Sequence, residues 1–269
     1  MRQLQLDELY AVLRGVRDGE ISEEKAIKRL EDSRHWVWTA IDPESKLLLA
    51  IDIGPRTLAM AQRVVHHVVQ KLAASCVPLC LTDGHRAYTM AFLSHFGFWH
   101  QPERKRTQGP APKLRWMPLP GLLYAQVVKS YRRRRLVNVK HRVVFGTLKA
   151  VEQVLAPCGW KINTAFVERL NLDIRQRMAA GGRRVNTLCQ GEDGMQHQLA
   201  LFQTYHNFVL PHTSLRQPLL ISELTNGNGS AKRWRRGTPA MAAGLTDHLW
   251  SLKEVLLYRV PPWPQPHVV

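Results

Sequence analysis

Glu168, Asn171 and Arg175 stand at steps of three and four in a segment, residues 163–177, whose pattern predicts one helix. Val167, Leu170, Ile174 and Met178 recur beside them as an apolar stripe that can bury against a core. A carboxylate at the seam between a buried and a wet face, backed by an amide and a guanidinium, suits a metal ligand. Taken alone, the same pattern also fits a surface helix with an intrahelical ion pair. Asp173 lies about 140° around the helix from Glu168 and is expected to face solvent. Two more acids sit in or at the end of apolar segments, Asp7 within residues 2–14 and Asp83 after residues 77–82. Asp42 competes with Asp7, but its place ahead of Pro43 marks it as a turn former. Three carboxylates that converge repel one another, and a fold tolerates this when a cation sits among them. Oxygen-only ligation selects Mg²⁺ or Mn²⁺ over zinc. Two such ions roughly 3.5–4 Å apart activate a water or a 3′-hydroxyl and stabilise the leaving oxygen of a phosphodiester.

The charge of the chain agrees with a phosphodiester substrate. Its 269 residues carry a formal net charge of +17 with a pI near 10.3, which points to a polyanionic partner. Residues 100–149 hold thirteen Lys and Arg against one acid, Glu103. Within that stretch Arg104, Lys105, Arg106, Lys129, Arg132, Arg133, Arg134, Arg135, Lys140 and Arg142 are the expected DNA contacts. Trp116, Tyr124 and Tyr131 lie among them as aromatics that can stack on unpaired bases or fill the core. Trp234, within the basic cluster 232–236, is a weaker stacking candidate. No stretch reaches the roughly 18 apolar residues of a membrane span, and no signal pattern opens the chain, so a cytoplasmic, nucleoid-associated protein is expected. Cys76, Cys80, Cys158 and Cys189 form no Cys-x-x-Cys pair and are expected as buried thiols. His66 and His67 have no carboxylate or cysteine at ligand spacing. His85 and Tyr88 follow Asp83 and are weighed as phosphate contacts or as structural residues.

Positioning these residues takes an alternation of strands and helices. A first strand runs through residues 2–14 and ends near Gly15, and the charged segment 18–34 reads as a helical insertion. Two strands follow, 35–41 and 47–53, joined by a turn at 42–45. Asp52 in the second of these is expected on an exposed face. Thr57 caps a helix through Val64, Val68 and Leu72. Residues 77–82 form a short buried strand. The Pro-rich stretch 102–120 is expected as a loop or flap, and 122–155 as helical or mixed. Gly181 and Gly182 with Arg183 and Arg184 suggest a hinge, residues 199–208 another amphipathic helix, and 226–230 a flexible linker. Thr238 as cap, Pro239 at the first helical position and Gly244 at the end frame a short helix. The division expected is a core over residues 1–225, with insertions at 18–34 and 100–150, and a linker and tail over 226–269.

Strand, strand, strand, helix, strand, with acids in the first and fourth strands, is the order of a ribonuclease-H-like α/β fold. That fold is a mixed five-stranded sheet flanked by helices, to which this chain adds a basic insertion and a helical C-terminal extension. Its first and fourth strands are neighbours about 4.8 Å apart, which would set Asp7 beside Asp83. The motifs around them, residues 5–10, 35–42, 81–88 and 166–175, resemble those of DDE transposases of bacterial insertion sequences, of the IS-one-like type. Residues 205–208, 211–216 and 238–246 look like the tail motifs of the same group. The resemblance implies a two-metal strand transferase with Asp7, Asp83 and Glu168 as catalytic triad and ligands of two Mg²⁺ or Mn²⁺ ions. It implies Asn171 and Arg175 as helix partners, DNA as substrate and target, and a homo-oligomer on DNA. Against the family's pattern, an N-terminal zinc ribbon and helix-turn-helix reader is expected to be missing. A simple nuclease of the same fold and a non-catalytic DNA-binding remnant are the alternatives.

Overall fold

The computed structural model describes residues 1–11, 35–104, 112–133, 135–178, 189, 191–223 and 231–259. The insertion 18–34, Lys105, Arg106, Arg134, the glycine hinge at 181–184 and the linker 226–230 lie outside them. The chain divides into two units, Met1–Ala200 and Leu201–Val269.

The first unit is mixed α/β. Its strands are β1 (Gln3–Tyr10), β2 (Trp36–Ile41), β3 (Leu48–Gly54), β4 (Leu79–Thr82), β5 (Gly97–His100), β6 (Arg115–Pro118), β7 (Tyr124–Arg132) and β8 (Arg135–Phe145). Its helices are α1 (Leu58–Val69), α2 (Ala87–His95), α3 (Leu148–Leu155), α4 (Ala165–Arg177) and α5 (Gly191–Thr204), the last of which continues past Ala200 into the residues of the second unit. Six strands form one mixed sheet in the order β3-β2-β1-β4-β7-β8, and β5 pairs with β6 separately. β1 runs antiparallel to β2 and parallel to β4, and β4 runs parallel to β7.

Period-two alternation along β1 sorts its side chains between the two faces of the sheet. Leu4 and Leu6 join Trp38, Ala40, Val64, Val65, Val68 and Phe92 in the core under α1 and α2. On β4 and β7 the opposite face carries Leu79, Leu81, Ala125 and Val127, packed with Val151 and Leu155 of α3. Helix α4 packs on β1 and β2, and its stripe of Val167, Leu170, Ile174 and Met178 is buried. Thr57 caps α1 as its sequence suggests, its hydroxyl accepting from the Met60 amide. The four cysteines are free thiols, with Cys80 and Cys189 buried and Cys76 and Cys158 half-buried.

Several sequence expectations give way. β1 ends at Tyr10, short of Gly15. Residues 124–145, expected as helical or mixed, are a long β-hairpin, which makes the sheet six-stranded where five strands were expected. The turn of that hairpin holds Arg133 at a φ of 48°. Every described residue from Arg135 to Arg142 is exposed, so no apolar alternation marks β8 as a strand. The Pro-rich stretch contains β6, which pairs residue for residue with β5. Asp52, expected on an exposed face, is buried, because Arg63 of α1 reaches across to bond its carboxylate at 2.6 Å. The same carboxylate lies 3.8 Å from Nδ1 of His67, a pairing invisible in the spacing.

In the second unit, β9 (Gln217–Glu223) and β10 (Lys232–Arg235) form an antiparallel ribbon, with Arg216 over the Trp234 ring. The helix expected over 199–208 is the end of α5 followed by a π-helical turn, Tyr205–Val209. The Thr238 hydroxyl caps α6 (Pro239–Ala242), and Ser251 and Glu254 form a capping box on α7 (Leu252–Leu257). No helix among the described residues is long and apolar enough to cross a membrane.

Candidate functional site

The site is built outward from β1. Gln5 lies on the sheet face opposite Leu4 and Leu6, and its Nε2 donates to the Asn163 carbonyl at 2.9 Å. Its Oε1 accepts from the amides of Phe166 and Val167, at 3.2 Å each. These are two of the four amides that the start of a helix leaves without an intrahelical partner. A buried side chain of β1 therefore sets where α4 begins, and Glu168 in its first turn is delivered close to Asp7, two residues along from Gln5. Sequence reasoning missed Gln5. The signal was a glutamine at a core-facing strand position, where a buried amide needs partners.

Asp7 is fixed from two sides. Its Oδ1 accepts from the Glu8 amide and its Oδ2 from Nδ2 of Asn171, both at 2.9 Å. Thr39 of β2 donates to Oδ1 of Asn171 at 3.1 Å, which orients the amide so that its NH₂ faces Asp7. Asp83 follows β4, the parallel neighbour of β1, and its Oδ1 accepts from the His85 amide at 2.9 Å. Glu168 receives the Thr164 hydroxyl at 2.5 Å and is ion-paired to Lys129 of β7. Arg175 is half-buried two turns further along α4.

Asp7, Asp83 and Glu168 line one cleft of about 690 Å³ together with Arg56, Arg86, Lys129 and Tyr131. Their closeness is not equal. Carboxylate oxygens of Asp7, Glu8 and Asp83 lie within 4.8 Å of one another, and Glu168 stands outside that set, held by its lysine. Glu8 was not foreseen. Alternation turns its side chain to the face opposite Asp7, where it is almost wholly buried and paired with Arg56 at 3.0 Å. Arg56 also reaches Asp83 at 3.5 Å and lies over the Trp36 ring.

This arrangement carries uncompensated negative charge. Burial raises the Asp7 carboxyl to about 7, helped by the charges of Asp83 and Glu168. Burial and Asp83 raise Glu8 to about 8. His85, wedged between Trp38 and Tyr88, has its pKa lowered by burial and then by Arg56, which fits a neutral structural imidazole. The acids have a stability consequence. Between the ordinary value of 3.8 and about 7 for Asp7, and between 4.5 and about 8 for Glu8, the folded state holds more protons than the unfolded chain. Stability then falls as pH rises through that window. Thermal melts in a chelator should show a transition temperature that decreases from mildly acidic to mildly alkaline pH. Added Mg²⁺, which binds the deprotonated acids, should flatten the slope. A flat profile without metal would mean that the acids are not strained.

Of the expected DNA contacts, Arg104 is exposed beyond β5, and Lys129 lines the cleft. Arg132, Arg133, Arg135 and Lys140 are exposed on the β7–β8 hairpin. Arg142, further down β8, is also exposed and donates to Oε1 of Gln126. Tyr131 is exposed at the cleft, whereas Tyr124 is buried with its hydroxyl against Thr82 and Gln126, so it cannot stack on a base.

The donors fit a hard divalent cation. They are oxygens only, the charge of Asp83 helps to raise both Asp7 and Glu8, and no cysteine or histidine belongs to the set. Comparison with protein-family models, with curated proteins and with solved structures found no match.

Proposed function

We propose that the first unit is a ribonuclease-H-like catalytic core of the DDE transposase type, acting on DNA. On this reading it cuts a strand at an element end and joins the freed 3′-hydroxyl to a target. The observation that carries the proposal is the convergence of Asp7, Asp83 and Glu168, remote in sequence, on one cleft beside a hairpin of exposed arginines. The sheet order β3-β2-β1-β4-β7, with its antiparallel first three strands and parallel β4 and β7, supports the fold assignment.

Asp7 and Asp83 would hold two Mg²⁺ or Mn²⁺ ions, with Glu168 completing the set. When bound, the ions supply neutralisation of the phosphodiester oxygens and acidify a water or 3′-hydroxyl. The chain's own part is placement. Asn171 locks the Asp7 carboxylate in one rotamer, and the Gln5 clamp sets the height of α4. Lys129 holds the Glu168 carboxylate at the cleft wall, and Arg56 offsets the charge of Glu8 and Asp83. Arg132, Arg133, Arg135 and Lys140 supply phosphate contacts with no base preference. A homo-oligomer on two DNA ends and residence at the nucleoid belong to the same proposal.

Incubation of the chain with Mg²⁺, a 3′-hydroxyl donor duplex and a plasmid target tests the reading. Covalent joining of donor to target is the expected product. Cleavage without joining would favour a nuclease of the same fold. Salt-dependent binding with neither product would leave a DNA-binding remnant.

A further inference from the structure

The arginine hairpin supplies charge for a backbone, and Tyr131 is an exposed aromatic at the cleft. The two-stranded sheet of β5 and β6 carries a separate and larger aromatic surface. Trp99 and Trp116 are directly opposed in its register and therefore share a face. Their rings meet edge to face at 5.2 Å. Trp116 is fixed: its Nε1 donates to the Leu93 carbonyl of α2 at 2.8 Å, and its indole lies so close over Gly97 that a Cβ there would fall 2.3 Å from the ring nitrogen. Gly97 is thus needed for the close approach that seats Trp116. Trp99 stands on this anchored ring and is 64% exposed, an uncommon position for the largest apolar side chain. Leu114 and Met117 nearby in sequence are also exposed. Lys113, just ahead of β6, is exposed and forms no ion pair among the described residues, whereas Arg115 stands opposite His100 in the register and alternates onto the other face; Glu103 is the only acid between residues 97 and 118.

A rigid, solvent-facing indole in a basic stretch with one acid matches a nucleobase next to its phosphates, because stacking supplies the contact and Lys113 the charge complement. A duplex hides its base faces, so the ligand is a strand with unpaired nucleotides. We propose that the β5–β6 sheet is a single-stranded nucleic-acid platform on which Trp99 stacks a base while Lys113, just ahead of β6, holds a flanking phosphate. The inference rests on nucleic acid as the partner of this chain but not on catalysis, and it gives the Trp99 face a role separate from that of the carboxylates.

The test uses the full chain in a chelator, so that cleavage plays no part. Anisotropy of a fluorescein-labelled oligothymidylate of about 20 nucleotides is compared with that of a duplex of equal length. Trp99→Ala should weaken oligothymidylate binding about tenfold or more and change duplex binding little, while Trp99→Phe, which keeps a stacking face, should restore most of the loss. Lys113→Glu should weaken binding and flatten its salt dependence, and should do so more than Arg115→Glu on the other face. Trp99 is exposed enough that its alanine variant should fold, and an unchanged thermal melt checks this. Unaltered oligothymidylate affinity in Trp99→Ala, with the wild-type chain binding well, overturns the platform and leaves the proposed function standing. A wild-type chain that binds neither probe overturns both. A change in oligomeric state on Trp99→Ala in place of a binding defect assigns the face to protein association and also overturns the proposal.

Discussion

Asp83→Asn is expected to lower Mg²⁺-dependent strand transfer about a thousandfold and, in the same protein without metal, to raise the melting temperature. Both effects have one origin. Asp83 is the largest charge acting on Asp7 and on Glu8, and each of those acids is already disfavoured as an anion by burial. An asparagine can keep its one oxygen toward the His85 amide, so the loop geometry survives, while its NH₂ takes the place of the oxygen that Arg56 reaches and that long contact is lost. What it removes is the repulsion and a cation ligand. Relief worth 1–2 kcal/mol would raise the transition by about 3–6 °C in a unit of this size. The gain should appear only where Asp7 is ionised, that is above about 7, and vanish in mild acid where Asp7 is protonated. A substitution that kills activity by unfolding would lower the melting temperature, so the two readouts together separate the explanations. Loss of activity with a lower melting temperature at every pH would count against a strained metal cage.

Glu168→Gln is expected to abolish strand transfer while leaving DNA affinity within about twofold of the wild-type value. Glu168 is half exposed and shares its carboxylate between Thr164 and Lys129. Its ion pair therefore contributes little to folding, on the order of 1 kcal/mol or less. Glutamine keeps an oxygen for both partners, and only the negative charge is lost. If Glu168 were merely the counter-charge of Lys129, the variant would remain active. The acid completing the donor set would then be Glu8, which lies nearer Asp7 and Asp83. Measured initial rates for Glu168→Gln and Glu8→Gln in parallel decide between the two sets.

The parts of this site that were legible in the sequence are those written in local periodicity. The stripe on α4, the caps at Thr57 and Thr238, and an acid in or after each of two strands could be read residue by residue. The adjacency of β1 and β4 followed from element order, and the structure shows that pairing. What stayed hidden depends on contacts far apart in the chain. Gln5 meets α4 across some 160 residues, Asp52 is buried by an arginine on the next helix, and Lys129 reaches Glu168 from another strand. The β7–β8 hairpin was missed for a different reason. Its outer half is exposed on both faces and rich in arginine, so it has neither the alternation nor the apolar content that marks a strand. Trp116 was read only as one aromatic among cations, because its partnership with Trp99 exists only once β6 has paired with β5.

Titration calorimetry of Mn²⁺ into the metal-free chain at near-neutral pH, where Asp7 is still partly protonated, repeated in buffers of different ionisation enthalpy, bears most directly on the claim that these acids cage divalent cations. The account predicts saturable binding with proton release, since the raised Asp7 carboxyl must shed its proton to coordinate, and loss of that binding in Asp7→Asn with Asp83→Asn. Mn²⁺ uptake that is absent, or that persists unchanged in the double variant, would contradict it.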